Sequence, residues 1–317
     1  MFVIPAAYVG HVAGLATSGL WTGTSLCFTA AARRLGPTRT NAVRLVIAVV
    51  LLAVTHRLVA GMWVPRAVGG QVLLLAASGL VGLTIGDQAL FTAFVQLGPR
   101  LVMLIETTAP LFAALFGWLA LGETIAPLGC LGIALTVAGV GWVVLERPVG
   151  PTPWTSGRRA RGVLLAVFAA ICQAGGLLLS KQGMGHGWLP PEQHLRPLSA
   201  TLLRMLFAVA GMVPFVLFYW ARERRERNAG VYPASRAWRA GLLFAFAGAF
   251  GGPFLGVWMS LTAADHAPVG VAQTLMALPP VLILPLARLI YKEHISTRAV
   301  LGALVAVGGV ALLFVAR

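Results

Sequence analysis

The sequence predicts an all-α membrane protein of ten transmembrane helices arranged as two inverted five-helix repeats. Three observations predict it. The 317 residues are 58% hydrophobic and only 10% charged, whereas water-soluble globules carry nearer a quarter charged residues. Breaks marked by charge, Pro and Gly leave room for about ten apolar runs of roughly 20 residues, the length that crosses a bilayer. The chain also repeats itself. Gly82, Gly86, Pro110, Glu123, Gly132 and Gly139 recur as Gly252, Gly256, Pro280, Glu293, Gly302 and Gly309, always 170 residues on, and Pro37 and Arg44 recur as Pro197 and Arg204.

The first span, 8–32, lacks a basic start and is too long for a signal-peptide core, so it reads as a retained helix. The second, 42–60, follows the Pro37 to Arg44 segment. In the third, 68–91, Ser78, Gly82 and Gly86 form a small-residue row, and Gly248, Gly252 and Gly256 repeat it in the eighth, 238–262. Such rows let helix backbones approach closely in lipid. The fourth, 99–121, and ninth, 268–290, each contain a matched proline, Pro110 and Pro280. Each proline removes a backbone donor and bends or loosens its helix, suggesting paired bends beside a cavity. Glu123 and Glu293 close these two spans, where a negative charge opposes the helix dipole, so they read as hinge residues bonded to the next helix or a nearby Arg. The fifth and tenth spans, 126–145 and 298–316, are glycine-rich, and the sixth and seventh cover 161–181 and 198–220. Residues 1–147 thus form one repeat, 148–160 a linker interrupted by Pro and Arg, and 161–317 the second repeat. Five spans is an odd number, so the halves enter the membrane in opposite senses, the arrangement that supports alternation between two near-equivalent conformations.

The formal net charge of +15 falls on Arg residues in short loops, where anionic lipid headgroups are the expected partner and nucleic acid is not. The Lys/Arg bias of the loops places both termini outside. Cys27, Cys130 and Cys172 fall inside spans without metal spacing and read as small core residues. Nothing in the sequence calls for a metal or other cofactor, and it carries no signal of oligomeric state.

Asp87 and Glu106 are the two acidic residues placed well inside spans. They lie ten residues before and nine after Leu97 in a hairpin, so both sit roughly 14 Å from its turn, near mid-depth. An ionised carboxylate there costs at least about 2.5 kcal/mol without a partner or water. Two facing one cavity would share a proton, a device for proton coupling or cation binding. The repeat has Val257 and Met276 at the corresponding positions. Gln88, Gln173 and Gln273 are further candidates for orienting a substrate, and Trp21 with Thr24 offers an aromatic wall and a hydroxyl. Arg44 and Arg204, near the starts of the second and seventh spans, read as residues that snorkel to headgroups, with gating or anion binding as the alternative. Asp265-His266 falls in the loop after the eighth span and reads as a solvated pair.

Leu20-Trp21-Thr22-Gly23, Pro37 to Arg44, Gly82 to Gly86, Pro110, Leu121-Gly122-Glu123 and Gly132 to Gly141 occur in this order and largely recur in the second half. In this the chain resembles the EamA-type family of the drug/metabolite transporter superfamily. Two departures are Gln173 where the repeat would place Trp, and Tyr291-Lys292-Glu293 in place of Gly-Glu. The resemblance implies a secondary carrier with a central cavity lined by spans one, three, four, six, eight and nine, moving small metabolites or drug-like solutes, often outward. The expected place is the bacterial inner (plasma) membrane. An integral-membrane enzyme is disfavoured, since HExxH and GxSxG are absent. A passive channel or assembly subunit is the remaining alternative.

Overall fold

The computed structural model describes residues 6–121, 126–145, 156–190, 193–228, 238–266, 275–291 and 296–315. Every regular element among them is helical. In the first half these are α1 (Ala6–Leu35), α2 (Pro37–Ala60), α3 (Gly69–Ser78), a π-helical segment π1 (Gly79–Gly86), α4 (Asp87–Leu97), α5 (Pro99–Glu106), α6 (Ala109–Leu121) and α7 (Pro127–Val144). The second half contains α8 (Ser156–Gly183), α9 (Pro197–Asn228), α10 (Trp238–Ala249), π2 (Phe250–Gly256), α11 (Val257–His266), α12 (Pro279–Tyr291) and α13 (Thr297–Val315). Among the described residues, seven helical stretches are long and apolar enough to cross a membrane: Pro37–Ala60, Gly69–Leu97, Pro99–Ala120, Pro127–Val144, Gly157–Gly183, Pro197–Arg225 and Trp238–His266.

Chain punctuation explains where the helices begin. Pro37, Pro99 and Pro127 open α2, α5 and α7, positions at which a missing amide costs no helical bond. Gly36 and Gly98 stand just before the first two with φ of +86° and +80°, a left-handed geometry that allows the chain to reverse within one residue. The hairpin expected near Leu97 and Gly98 is therefore present.

Two departures from regular helix are matched between the halves. In π1 and π2 the backbone widens, and the amides of Asp87 and Val257 reach back five residues to the carbonyls of Gly82 and Gly252. Such segments break the usual side-chain register where they occur. The second departure falls in the fourth span, just before Pro110. The helix stops at Glu106 and restarts at Ala109, while the Thr107 and Thr108 hydroxyls donate to the carbonyls of Leu104 and Ile105 at 2.6 and 2.7 Å. In the second half α12 begins only at Pro279, and the Ser18 hydroxyl donates to the Leu275 carbonyl. Pro279 has no amide with which to satisfy that oxygen, so a side chain from α1 replaces the lost bond.

The halves interlock. Helix α1 packs on α10, π2 and α11, while α8 packs on α3, π1 and α4, and α2 lies against α9. Helices α7 and α13 make the most extensive contact, through backbone rather than bulk. A Cβ on Gly139 would stand 2.7 Å from the Gly302 carbonyl oxygen, and one on Gly309 would stand 2.6 Å from that of Gly132. Shifting these residue numbers by the 170-residue repeat turns one contact into the other, the signature of a self-complementary, two-fold-like interface. Of the cysteines, Cys172 is buried and Cys27 half-buried, but Cys130 is exposed on α7, correcting its reading as a core residue.

Candidate functional site

Between the halves lies a cavity of about 170 Å³. On the scale of 10–15 Å³ for one water it has room for roughly a dozen waters, or a small organic solute. Its wall combines aromatic and thioether groups (Trp21, Phe28, Phe91, Phe94, Met103, Met276) with four ionisable side chains, Arg44, Asp87, Glu106 and Arg204. Trp21, Thr24, Gln173, Pro110 and Pro280, all named from sequence, also line it, as does Gly252.

Asp87 is the centre of a network. Its carboxylate is 3% exposed, pairs with the Arg44 guanidinium and accepts a hydrogen bond from Gln173 Nε2 at 2.8 Å. Arg44 is held in place by Asn41 Oδ1, which accepts from its Nε at 3.0 Å and a terminal nitrogen at 2.8 Å. The rings of Phe91 and Phe28 lie 4.7 and 5.6 Å from the guanidinium carbon, contacts that stabilise a desolvated cation. Asn41 Nδ2 in turn reaches the Leu83 and Thr84 carbonyls inside π1 at 3.4 and 3.3 Å. The widened turn and the ion pair are thus one structure.

Arg204 and Glu106 contrast with this pair. Arg204 is 3% exposed, and its Nε has no hydrogen-bond partner among the described residues; the same holds for Glu106 Oε1. Buried polar atoms without partners are uncommon and costly, and both belong to side chains facing the cavity. Glycines make the space for Arg204. A Cβ on Gly82 or Gly176 would stand 2.9 or 3.2 Å from one of its terminal nitrogens.

The small-residue rows therefore shape the site as well as the packing. A Cβ on Gly86 would meet the Cys172 Cβ at 2.7 Å, on Gly252 the Phe28 ring at 3.0 Å, and on Gly256 the Trp21 indole nitrogen at 2.8 Å. Each third-position helix thus seats the first helix of the other half.

Three sequence expectations are revised. Arg44 and Arg204 do not reach the lipid headgroups; both are buried in the cavity wall. Pro37 and Pro197, not residues 42 and 198, open their helices, so each Arg sits two turns, roughly 10 Å, inside. Gln88 lies apart from the cavity, its amide donating to Thr38 Oγ1 at 3.0 Å, because the next residue along a helix from Asp87 points about 100° away. Gln273, Glu123 and Glu293 lie outside the described residues. Sequence reasoning missed Asn41 altogether. Its signal was the Asn41 and Arg44 pair at three-residue spacing, which puts both on one helix face.

Helices this apolar, folded around a buried charged cavity, define an integral multi-pass membrane protein. The EamA-like transporter family matches residues 8–145 and again 160–315, and the chain belongs to that family. No curated protein matches the sequence. A solved structure titled "Crystal structure of protein" is similar with a TM-score of 0.64 at 18% identity, covering 96% of this chain and 95% of its own; at that identity the likeness extends to the fold.

Proposed function

We propose that the protein is a secondary active transporter of ten transmembrane helices, its two repeats inserted in opposite senses, exporting or exchanging a small amphipathic solute by alternating access. The observation that carries this reading is the pairing of two buried atoms without a partner among the described residues, Glu106 Oε1 and Arg204 Nε, in one cavity of a transporter-family chain. The self-complementary α7–α13 contact and the exchanged packing of α1 and α8 support two halves that rock about a shared site.

The charge count suggests the chemistry. With Glu106 ionised, the cavity holds two guanidinium and two carboxyl charges in balance. With Glu106 protonated it carries one excess positive charge, located on Arg204 because Arg44 is committed to Asp87. A solute carboxylate and a proton therefore favour each other's binding, the first on Arg204 and the second on Glu106, with the solute's apolar body against Trp21, Phe28 and Met276. Asp87, which the sequence suggested as a partner in proton exchange, serves in this reading to fix Arg44 and the π1 turn. Solutes are first found by thermal shift of purified protein against panels of carboxylates, zwitterions, organic cations and nucleosides, since ligands of the native state raise its stability. In proteoliposomes with an imposed pH gradient, Glu106→Gln should lose gradient-driven movement of the hit while retaining counterflow exchange. Undiminished gradient-driven movement in this variant removes the coupling role, and flux without saturation or counterflow replaces the carrier with a passive pore.

A further inference from the structure

Beyond the C-terminal end of α8, two histidines of the α8–α9 connection meet an aspartate some 70 to 80 residues further along the chain. His186 Nε2 and His194 Nε2 lie 3.0 and 2.9 Å from the same oxygen, Oδ1 of Asp265. The three ligand-type atoms all fall within 4.8 Å of one another. We propose that His186, His194 and Asp265 form a binding site for a divalent first-row transition-metal ion of the Zn²⁺ class, separate from the central cavity.

The convergence is built by the fold. Beyond α8 the Leu195 amide donates to the Met184 carbonyl at 3.0 Å, which brings the segments carrying His186 and His194 side by side. Gly185 (φ +96°) permits this, because a Cβ there would stand 2.6 Å from the Gln193 carbonyl oxygen. Two buried glutamines fasten the loop from beneath. Gln182 Oε1 accepts from the Trp188 amide at 2.9 Å, and Gln71 Nε2 donates to the Gln193 carbonyl at 2.6 Å. The two imidazole rings meet edge to face with centroids 5.6 Å apart. Asp265 is carried by the last turn of α11.

The donor set selects the ion. Two imidazole nitrogens and one carboxylate oxygen suit Zn²⁺ or Co²⁺ and are poorly suited to Ca²⁺ or Mg²⁺, which take oxygen ligands. Metal bonds of 2.0–2.2 Å put tetrahedral ligand atoms about 3.3 Å apart. Both Nε2 to Oδ1 separations are close to that value, and the third edge closes by at most about 1.5 Å, through rotation of the half-exposed His194 ring. Three protein ligands leave a fourth position for water. The site also ties the α8–α9 loop to the end of α11.

The test is equilibrium dialysis of chelator-stripped full-length protein against micromolar Zn²⁺, with thermal unfolding measured alongside. The expected result is one Zn²⁺ per chain and a metal-dependent rise in Tm. His186→Ala, His194→Ala and Asp265→Asn should each weaken binding by more than tenfold, while His11→Ala leaves it unchanged. Co²⁺ loading of the wild-type chain should give the intense visible bands of four-coordinate cobalt, a readout that needs no variant. Absence of Zn²⁺ binding to the wild type, undiminished binding in the His186→Ala/His194→Ala double variant, or only the weak bands of octahedral cobalt would each overturn the proposal.

Discussion

Removing the Asp87 charge should destabilise the protein in a manner that removing Arg44 as well largely repairs. Both groups are almost fully buried, and breaking a buried pair by deleting one partner costs about 3–5 kcal/mol, because the other charge is left without compensation. Arg44 retains two hydrogen bonds to Asn41 Oδ1 and two aromatic faces, and desolvated cation–π contacts return up to about 2 kcal/mol each. For Asp87→Asn we therefore expect a loss of roughly 2–3 kcal/mol. In the double variant Arg44→Met/Asp87→Asn no charge is left stranded, and the coupling should reach about 1–3 kcal/mol. Unfolding is followed by tryptophan fluorescence, for which the chain has nine tryptophans, as denaturing detergent is titrated into mixed micelles. Additivity of the two single losses to within about 0.5 kcal/mol would refute the claim that this pair is an energetic unit.

Two further perturbations probe the scaffold and the wall. Gly309→Ala sets a Cβ within 2.6 Å of backbone on α7 and should cost about 1–3 kcal/mol by overpacking. Gly141→Ala, on the same helix pair but with nothing within 4 Å, should be neutral or stabilising by up to about 1 kcal/mol; equal effects in the two, measured by the same detergent titration, would count against backbone contact as the basis of this interface. Trp21→Ala enlarges the cavity on its aromatic side and should raise the half-saturation concentration in counterflow by about tenfold or more, the equivalent of a partly lost aromatic contact; an unchanged value would take Trp21 out of the solute's path.

The repeat made most of the scaffold legible. A glycine whose place a Cβ would clash with, or a proline at a helix break, is a local steric requirement that survives in sequence as one residue type. The paired glycine rows, Pro110 and Pro280 could be found by inspection for that reason. Charge networks leave no such trace. Nothing near Asp87 in sequence announces Arg44 or Gln173, because these partners are brought in by packing of other helices. Arg44 was misplaced for a definable reason: hydropathy starts a span at its first uninterrupted apolar residue, whereas the helix starts at the proline, seven positions earlier than the Arg. The π1 turn was invisible as well, since an extra residue per turn is set by what the freed carbonyls of Leu83 and Thr84 can bond to, here Asn41.

The location of the charges within the chain bears on how the protein is made. Arg44 and Asp87 both belong to the half synthesised first, so the counter-charge of this carboxylate is supplied without any contribution from the second half. Arg204 arrives later, against Gly82 of the first half and Gly176 of the second. In a chain with its halves permuted, Arg204 would be synthesised before either carboxylate of the cavity, since Asp87 and Glu106 both lie in the first half.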